Sequence, residues 1–174
     1  MKFRDIPKIP FASYAVDVGF NYLEEMIDRY IDTHNLIMNP DFQRGHVWNY
    51  LQQRNYVEWI LRGGFSGKDI FFNKPDWMSF RDDSNPPMVL VDGLQRLTAV
   101  LKFLKNDMGI FGGHKREDFE DKPSIVDATL KFHVNNLQTR AEVLQWYLDF
   151  NSGGKVHTQD ELNKVRELLK AENE

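Results

Sequence analysis

The chain has no cysteine. Disulfides, thiolate metal sites and cysteine nucleophiles are therefore excluded, and the absence agrees with a reducing compartment. It also lacks any apolar run approaching the roughly 18 to 20 residues that span a bilayer. Its first residues, MKFRDIPKIPFASY, have no continuous apolar core of the kind that marks a signal peptide, so the expected location is the cytoplasm with no membrane partner. Positive charge is not in excess. With 22 Lys and Arg against 26 Asp and Glu the formal net charge is -4, which excludes a uniformly basic nucleic-acid coat and confines nucleic-acid contact to a local cleft. The common catalytic templates are missing too. No G-x-S-x-G, H-E-x-x-H or G-x-G-x-x-G occurs, and His34, His46, His114, His133 and His157 are scattered without metal-ligand spacing, so a zinc enzyme is not expected. There are no internal repeats and no low-complexity tracts.

What remains is an ordinary globular composition, 41% hydrophobic and 13% aromatic over 174 residues, enough for one domain with its own core. Residues 1–18 hold two prolines and no period, and are expected to form an extended arm. From Asn21 the apolar residues Leu23, Met26, Ile27, Tyr30 and Ile31 recur at helical spacing, with Asn21 and Glu24 placed as a capping pair. NPDFQRGHVW (39–48) is a loop, followed by a helix from about Asn49 to Arg62 that Gly63 and Gly64 stop. DIFFN (69–73) is a short strand, 74–87 a solvated loop, and Met88 to Val91 a second strand. Leu94, Leu97, Leu101 and Leu104 then mark one face of a helix reaching about Asn106. Residues 107–124 are expected to be an exposed insertion, and TLKFHVN (129–135) alternates as a half-buried strand does. Thr139 with Glu142 forms a capping box for a helix through Tyr147, and Thr158 with Glu161 another for the last helix, with FNSGGKVH (150–157) as the loop between them. The expected fold class is α+β, compact and helix-rich, with a small sheet.

Three stretches carry chemistry. In VDGLQR a strand delivers Asp92 and Gly93 into a helix start, where unpaired backbone N–H groups make an anion site. Arg96 could clamp a phosphate there, and Asp92 could hold a metal ion or orient a water. The alternative is that Asp92 is a helix cap, Gly93 a turn residue and Arg96 a solvated side chain. In PDFQRGHVW, Arg44 lies between Phe42 and Trp48 with Gln43 and His46 beside it, an arrangement that suits phosphate pairing or base stacking. Equally, Phe42 and Trp48 could be core anchors and Arg44 a structural ion pair. In FNSGGKVH, two glycines and Lys155 could wrap a phosphate, although the loop lacks P-loop spacing and a plain helix-ending turn also fits.

Taken in order, PDFQRGHVW, LVDGLQRLTAVLKFL and FNSGGKVHTQDEL resemble the three motif blocks of the domain-of-unknown-function 262 family, the GmrS-like branch of the ParB/sulfiredoxin-like superfamily, over roughly residues 15–165. The resemblance implies a ParB/sulfiredoxin-like fold that binds and hydrolyses a nucleoside triphosphate in a bacterial or phage DNA-conflict system. Carried over by position, Asp92, Gly93, Gln95 and Arg96 stand for the DGQQR motif, Gln43 and Arg44 for the first block, and Asn151 with Gly154 for the third. The implied catalytic residues are Asp92, Gln95 and Arg96. Gln43, Arg44, Gly93, Arg96, Asn151, Gly154 and Lys155 would hold the nucleotide, and Asp92 a Mg²⁺ ion. The motif's first glutamine is Leu94 here, which puts hydrolysis in doubt more than binding. The chain ends soon after the third block, without the nuclease domain of many longer relatives, so any DNA cleavage is expected to come from this domain or from a partner, with DNA as a second ligand. The competing expectation is a non-enzymatic module that senses DNA, a nucleotide or a protein.

Overall fold

The computed structural model describes residues 2, 5–6, 9–10, 12–43, 45–77, 85–121, 128–151 and 159–172, the side chains of 159 and 161 excepted. Among these, four strands and five α-helices follow in chain order: β1 (Tyr14–Gly19), α1 (Phe20–His34), α2 (Tyr50–Leu61), β2 (Asp69–Asn73), β3 (Val89–Asp92), α3 (Leu94–Leu104), β4 (Thr129–Asn135), α4 (Arg140–Asn151) and α5 (Gln159–Glu172). The four strands form one mixed sheet ordered β1-β4-β2-β3. The β1/β4 and β2/β3 pairs are antiparallel, while β2 and β4 run parallel. The fold is α+β, as the pattern of elements implies.

Strand alternation divides the apolar residues between two cores. Ile70 and Phe72 of β2, Leu90 of β3, and Leu130, Phe132 and Val134 of β4 are fully buried on one face, against Leu23, Ile27 and Tyr30 of α1 and Leu94, Leu97 and Val100 of α3. Each large side chain buried this way contributes about 1.5–3 kcal/mol. Tyr30 lies edge-on to Phe72, and burial pushes its hydroxyl pKa up to about 12. On the other face Val91 of β3 packs with Phe42, Val143, Leu144, Trp146 and Tyr147 under α4, and with Leu162 and Val165 of α5. That second core covers only the β3 side of the sheet.

The local signals explain most boundaries. Asn49 caps α2 through a reciprocal box with Gln52, and Gly63 follows with a positive φ of 83°. Thr139 and Glu142 close the expected box on α4, and the Thr139 N–H holds the Glu142 carboxyl below its usual range. The cap expected at Thr158 and Glu161 lies outside the described residues.

Four expectations are corrected. Residues 14–19 are not an arm but an edge strand, because Val16 and Val18 turn inward once β4, more than a hundred residues away, pairs with them. Asn21 and Glu24 do not cap α1. The strand runs straight into the helix at Phe20, which is buried, and Gly19 is the cap position with no side-chain bond. The stretch from 107 is not wholly exposed, since Met108 and Ile110 are buried in the first core and Ile110 bridges His114. Finally, α4 does not stop near Tyr147 but continues to Asn151.

Candidate functional site

The site is built where β3 ends. Phe71 of β2 pairs with Asp92 and Phe72 with Leu90, so β3 carries one extra residue, a bulge that re-aims its last side chain. Gly93 then adopts φ of 104°. A Cβ at this position would lie 2.6 Å from Ile70 Cδ1 and 3.2 Å from Ile70 Cα, so only glycine lets the chain turn this close to β2. Helix α3 begins at Leu94 with Gly93 as its cap position and no side-chain bond to the first turn. Asp92 is thus a strand residue and not the helix cap. Its carboxylate instead takes the guanidinium of Arg96, one turn on, in a half-buried ion pair. Arg96 is not free in solvent either.

Gln95, also in the first turn, faces the 39–48 loop. Its Oε1 accepts from the N–H of Val47 (3.1 Å) and of Trp48 (3.0 Å), and its Nε2 donates to the Gly45 carbonyl at 2.5 Å. Gln43 returns the connection by donating from Nε2 to the Leu90 carbonyl in β3, also at 2.5 Å. Two glutamines therefore stitch the first block to the second through backbone bonds. The loop's near end is fastened as well. Arg140 Nη2 donates to both carboxylate oxygens of Asp41, at 3.0 and 2.8 Å, Lys164 donates to the Asp41 carbonyl, and Phe42 packs edge-on to Tyr147. The bonded Arg140 holds the Asp41 carboxyl below its ordinary value. Phe42 is a core anchor, and Trp48 packs against Tyr56. Arg44, between two fastened stretches, lies outside the described residues.

The third block reaches the same place from α4. Phe150 packs 4.4 Å from Phe71, the strand partner of Asp92, and Trp146 meets both rings. Asn151 is not a loop residue. It is the last residue of α4, buried, with its Nδ2 donating to the Tyr147 carbonyl at 2.7 Å. Gly154 and Lys155 lie outside the described residues.

One further polar pair belongs to none of the three blocks. His133 Nε2 is 2.7 Å from Asp69 Oδ1, and the His133 ring stacks on Phe71 at 4.6 Å and 13°. His133, Phe71 and Asp92 occupy one row across β4, β2 and β3, which puts the outer two about 10 Å apart by strand spacing. Tyr56 marks how close the charges come. Burial raises its hydroxyl pKa, Arg96 works against that rise and Asp69 adds to it. The sequence signal for this pair was the polar position in each alternating strand, but nothing local announces that β2 and β4 are neighbours.

Among the described residues no three His, Asp or Glu side chains converge as a metal site would require. A separate groove of about 240 Å³, lined mainly by apolar side chains including Ile37, Phe42, Val89 and Val143, opens at the opposite end of β3. Among the described residues no helix is long and apolar enough to cross a membrane. The family model described as the GmrSD restriction endonuclease, N-terminal domain, matches residues 23–171. No curated protein and no solved structure matches the chain significantly.

Proposed function

The chain belongs to the family of the GmrSD restriction endonuclease N-terminal domain, and from that premise we propose that the Asp92 to Arg96 turn binds the phosphates of a nucleoside triphosphate within a cytoplasmic DNA-restriction system. The observation that carries this is the uncapped start of α3 beside a guanidinium. The first N–H groups of a helix have no intrahelical partner, and the helix dipole adds partial positive charge at the same point. Leu97 N–H already bonds the Gly93 carbonyl, so the N–H groups of 94, 95 and 96 are the ones offered to an anion. Arg96 adds a planar, permanently charged donor.

Asp92 and Arg96 work as an exchangeable pair. A phosphate that takes Arg96 releases the Asp92 carboxylate, and one carboxylate suffices for Mg²⁺ that arrives on a triphosphate and keeps most of its water. Bound there, Mg²⁺ would neutralise phosphate charge. Gln95 spends its amide on the 45–48 backbone, so its role is to hold that stretch against the start of α3. Gln43 acts the same way from β3. Asn151 ends α4 and ties its own amide back to the Tyr147 carbonyl, so its role is to finish that helix beside Phe71.

Leu94 bears on hydrolysis. It replaces a glutamine of the family motif and is 4% exposed, inside the first core. A side chain buried there offers no hydrogen bond to a water or a phosphate, and this favours a second reading, in which the domain is a non-enzymatic module that binds nucleotide without turnover and signals to a protein partner. Isothermal titration with each nucleoside triphosphate and Mg²⁺ tests the first reading. Arg96→Ala should weaken binding at least about tenfold, the loss of roughly one charge-assisted bond. Absence of binding to every triphosphate, or an Arg96→Ala variant that is folded and binds as well as the parent, would sink it. Phosphate release above an Asp92→Ala control separates hydrolysis from the binding-only reading.

A further inference from the structure

We infer that the Asp69 and His133 pair is a sugar subsite, its carboxylate accepting from the ribose hydroxyls of a nucleotide whose phosphates lie at the start of α3, a reading that rests on the phosphate site proposed above. Placement is the first observation. His133, Phe71 and Asp92 stand in one row of the sheet, and Asp69 shares its face of β2 with Phe71. The pair therefore lies two strands from the turn that offers the phosphate-binding N–H groups, about 10 Å away, with the half-buried Phe71 ring as an apolar floor between them. An extended nucleoside triphosphate spans that gap with its phosphates at one end and its sugar at the other.

Tyr56 of α2 ties the two ends together. Its hydroxyl donates to the Gly67 carbonyl at 2.7 Å and feels both the Arg96 guanidinium and the Asp69 carboxylate. The cation of the phosphate end and the anion of the pair thus flank one side chain. Their signs sort the ligand, since phosphates are drawn to Arg96 and repelled by Asp69.

The chemistry of the pair is the second observation. A carboxylate only accepts, so the 2.7 Å contact is a donation from His133 Nε2 to Asp69 Oδ1. The imidazole lies flat on Phe71, 4.6 Å away and 13° from parallel, and Phe71 is itself held by Phe150 and Trp146 of α4. The rings fix the histidine, and the histidine fixes the carboxylate before any ligand arrives. Asp69 nevertheless keeps 48% of its side chain exposed, against 16% for His133, so carboxylate surface is left for a donor from solution. Sugar hydroxyls are such donors, and a strand-borne carboxylate is the group that takes them in dinucleotide-binding sheets. Fastening β2 to β4 does not require the pair, because a parallel ladder already joins Asp69–Asn73 to Lys131–Asn135 and a half-exposed ion pair adds little.

The test is isothermal titration, with Mg²⁺, of each ribonucleoside triphosphate, its 2′,3′-dideoxy counterpart and inorganic tripolyphosphate. The parent protein should bind a ribonucleotide about tenfold more tightly than the dideoxy form, the loss of one hydrogen bond to a charged group. Asp69→Ala should bring the two forms to equal affinity with an unchanged thermal midpoint. His133→Gln, which removes the group that positions the carboxylate, should shrink the ratio by a smaller factor. Arg96→Ala should weaken all three ligands and keep the ribose preference. Equal affinity of the parent for the ribose and dideoxy forms, with tripolyphosphate still bound and still weakened by Arg96→Ala, would overturn the sugar subsite and leave the phosphate site standing. A ribose preference that survives Asp69→Ala would overturn it too, and binding of none of the three ligands would overturn both sites together.

Discussion

Ile70, Phe72, Leu130 and Phe132 are fully buried on the α1 and α3 side of the sheet, whereas Asp69, Phe71, Lys131 and His133, which alternate with them on the same two strands, are only partly covered. The first face is closed by two helices and is wholly apolar. The second is closed by α4 and α5 only towards β3, and the open part carries the Asp69 and His133 pair in line with Asp92. Two strands therefore do both jobs at once, stability through one face and chemistry through the other. Polar groups sit where no helix demands apolar surface.

The sharpest way to break this contrast is to compare neighbours. Phe132→Ala should cost about 3–5 kcal/mol in denaturant unfolding, the usual loss for a fully buried phenylalanine. His133→Ala, next in the chain, should cost less than about 1 kcal/mol because its partner Asp69 is half-exposed and free to rehydrate. Equal losses would show that the open face is structural after all. Gly93→Ala comes next, at about 2 kcal/mol, since the new Cβ meets Ile70 at an unfavourable φ. It should also impair nucleotide binding, which Phe132→Ala variants that remain folded should retain.

Gln95→Ala should cost about 1–2 kcal/mol and act locally, by removing three bonds to the 45–48 backbone. Hydrogen exchange would read it as faster exchange of the Val47 and Trp48 amides with the α3 amides little changed. The smallest effect concerns Asp41. Arg140 lowers its pKa in the folded state, so the pair stabilises the fold above the unfolded carboxylate's value, near about 4, and that contribution is lost as pH falls through the lower folded value. Asp41 is largely exposed, so the gain should be well under about 1 kcal/mol, and Arg140→Gln should flatten the urea midpoint only between about pH 5 and pH 3.

Local signals made much of this legible. DIFFN and TLKFHVN are strands at the residues their alternation marks, and α2 stops at Gly63 as a glycine terminus should. The Thr139 and Glu142 box is where its spacing places it. What escaped is what depends on partners distant in sequence. Strand β1 has no strong period of its own and exists because β4 pairs with it. Asp69 and His133 are 64 residues apart and meet only because β2 and β4 run parallel. The same holds within the motifs. Gln43 and Gln95 look like ligand-binding amides until their backbone partners are known, and Asp92 looks like a cap until the bulge in β3 hands that position to Gly93.

A crystal structure of the protein with a nucleoside triphosphate and Mg²⁺ tests the phosphate site at α3 most directly. Phosphate density is expected at the start of α3, within hydrogen-bond distance of the 94 to 96 N–H groups, with Arg96 turned from Asp92 to the phosphates. Phosphates bound elsewhere, for example in the groove near Val89, with the Asp92 and Arg96 pair still closed, would contradict it.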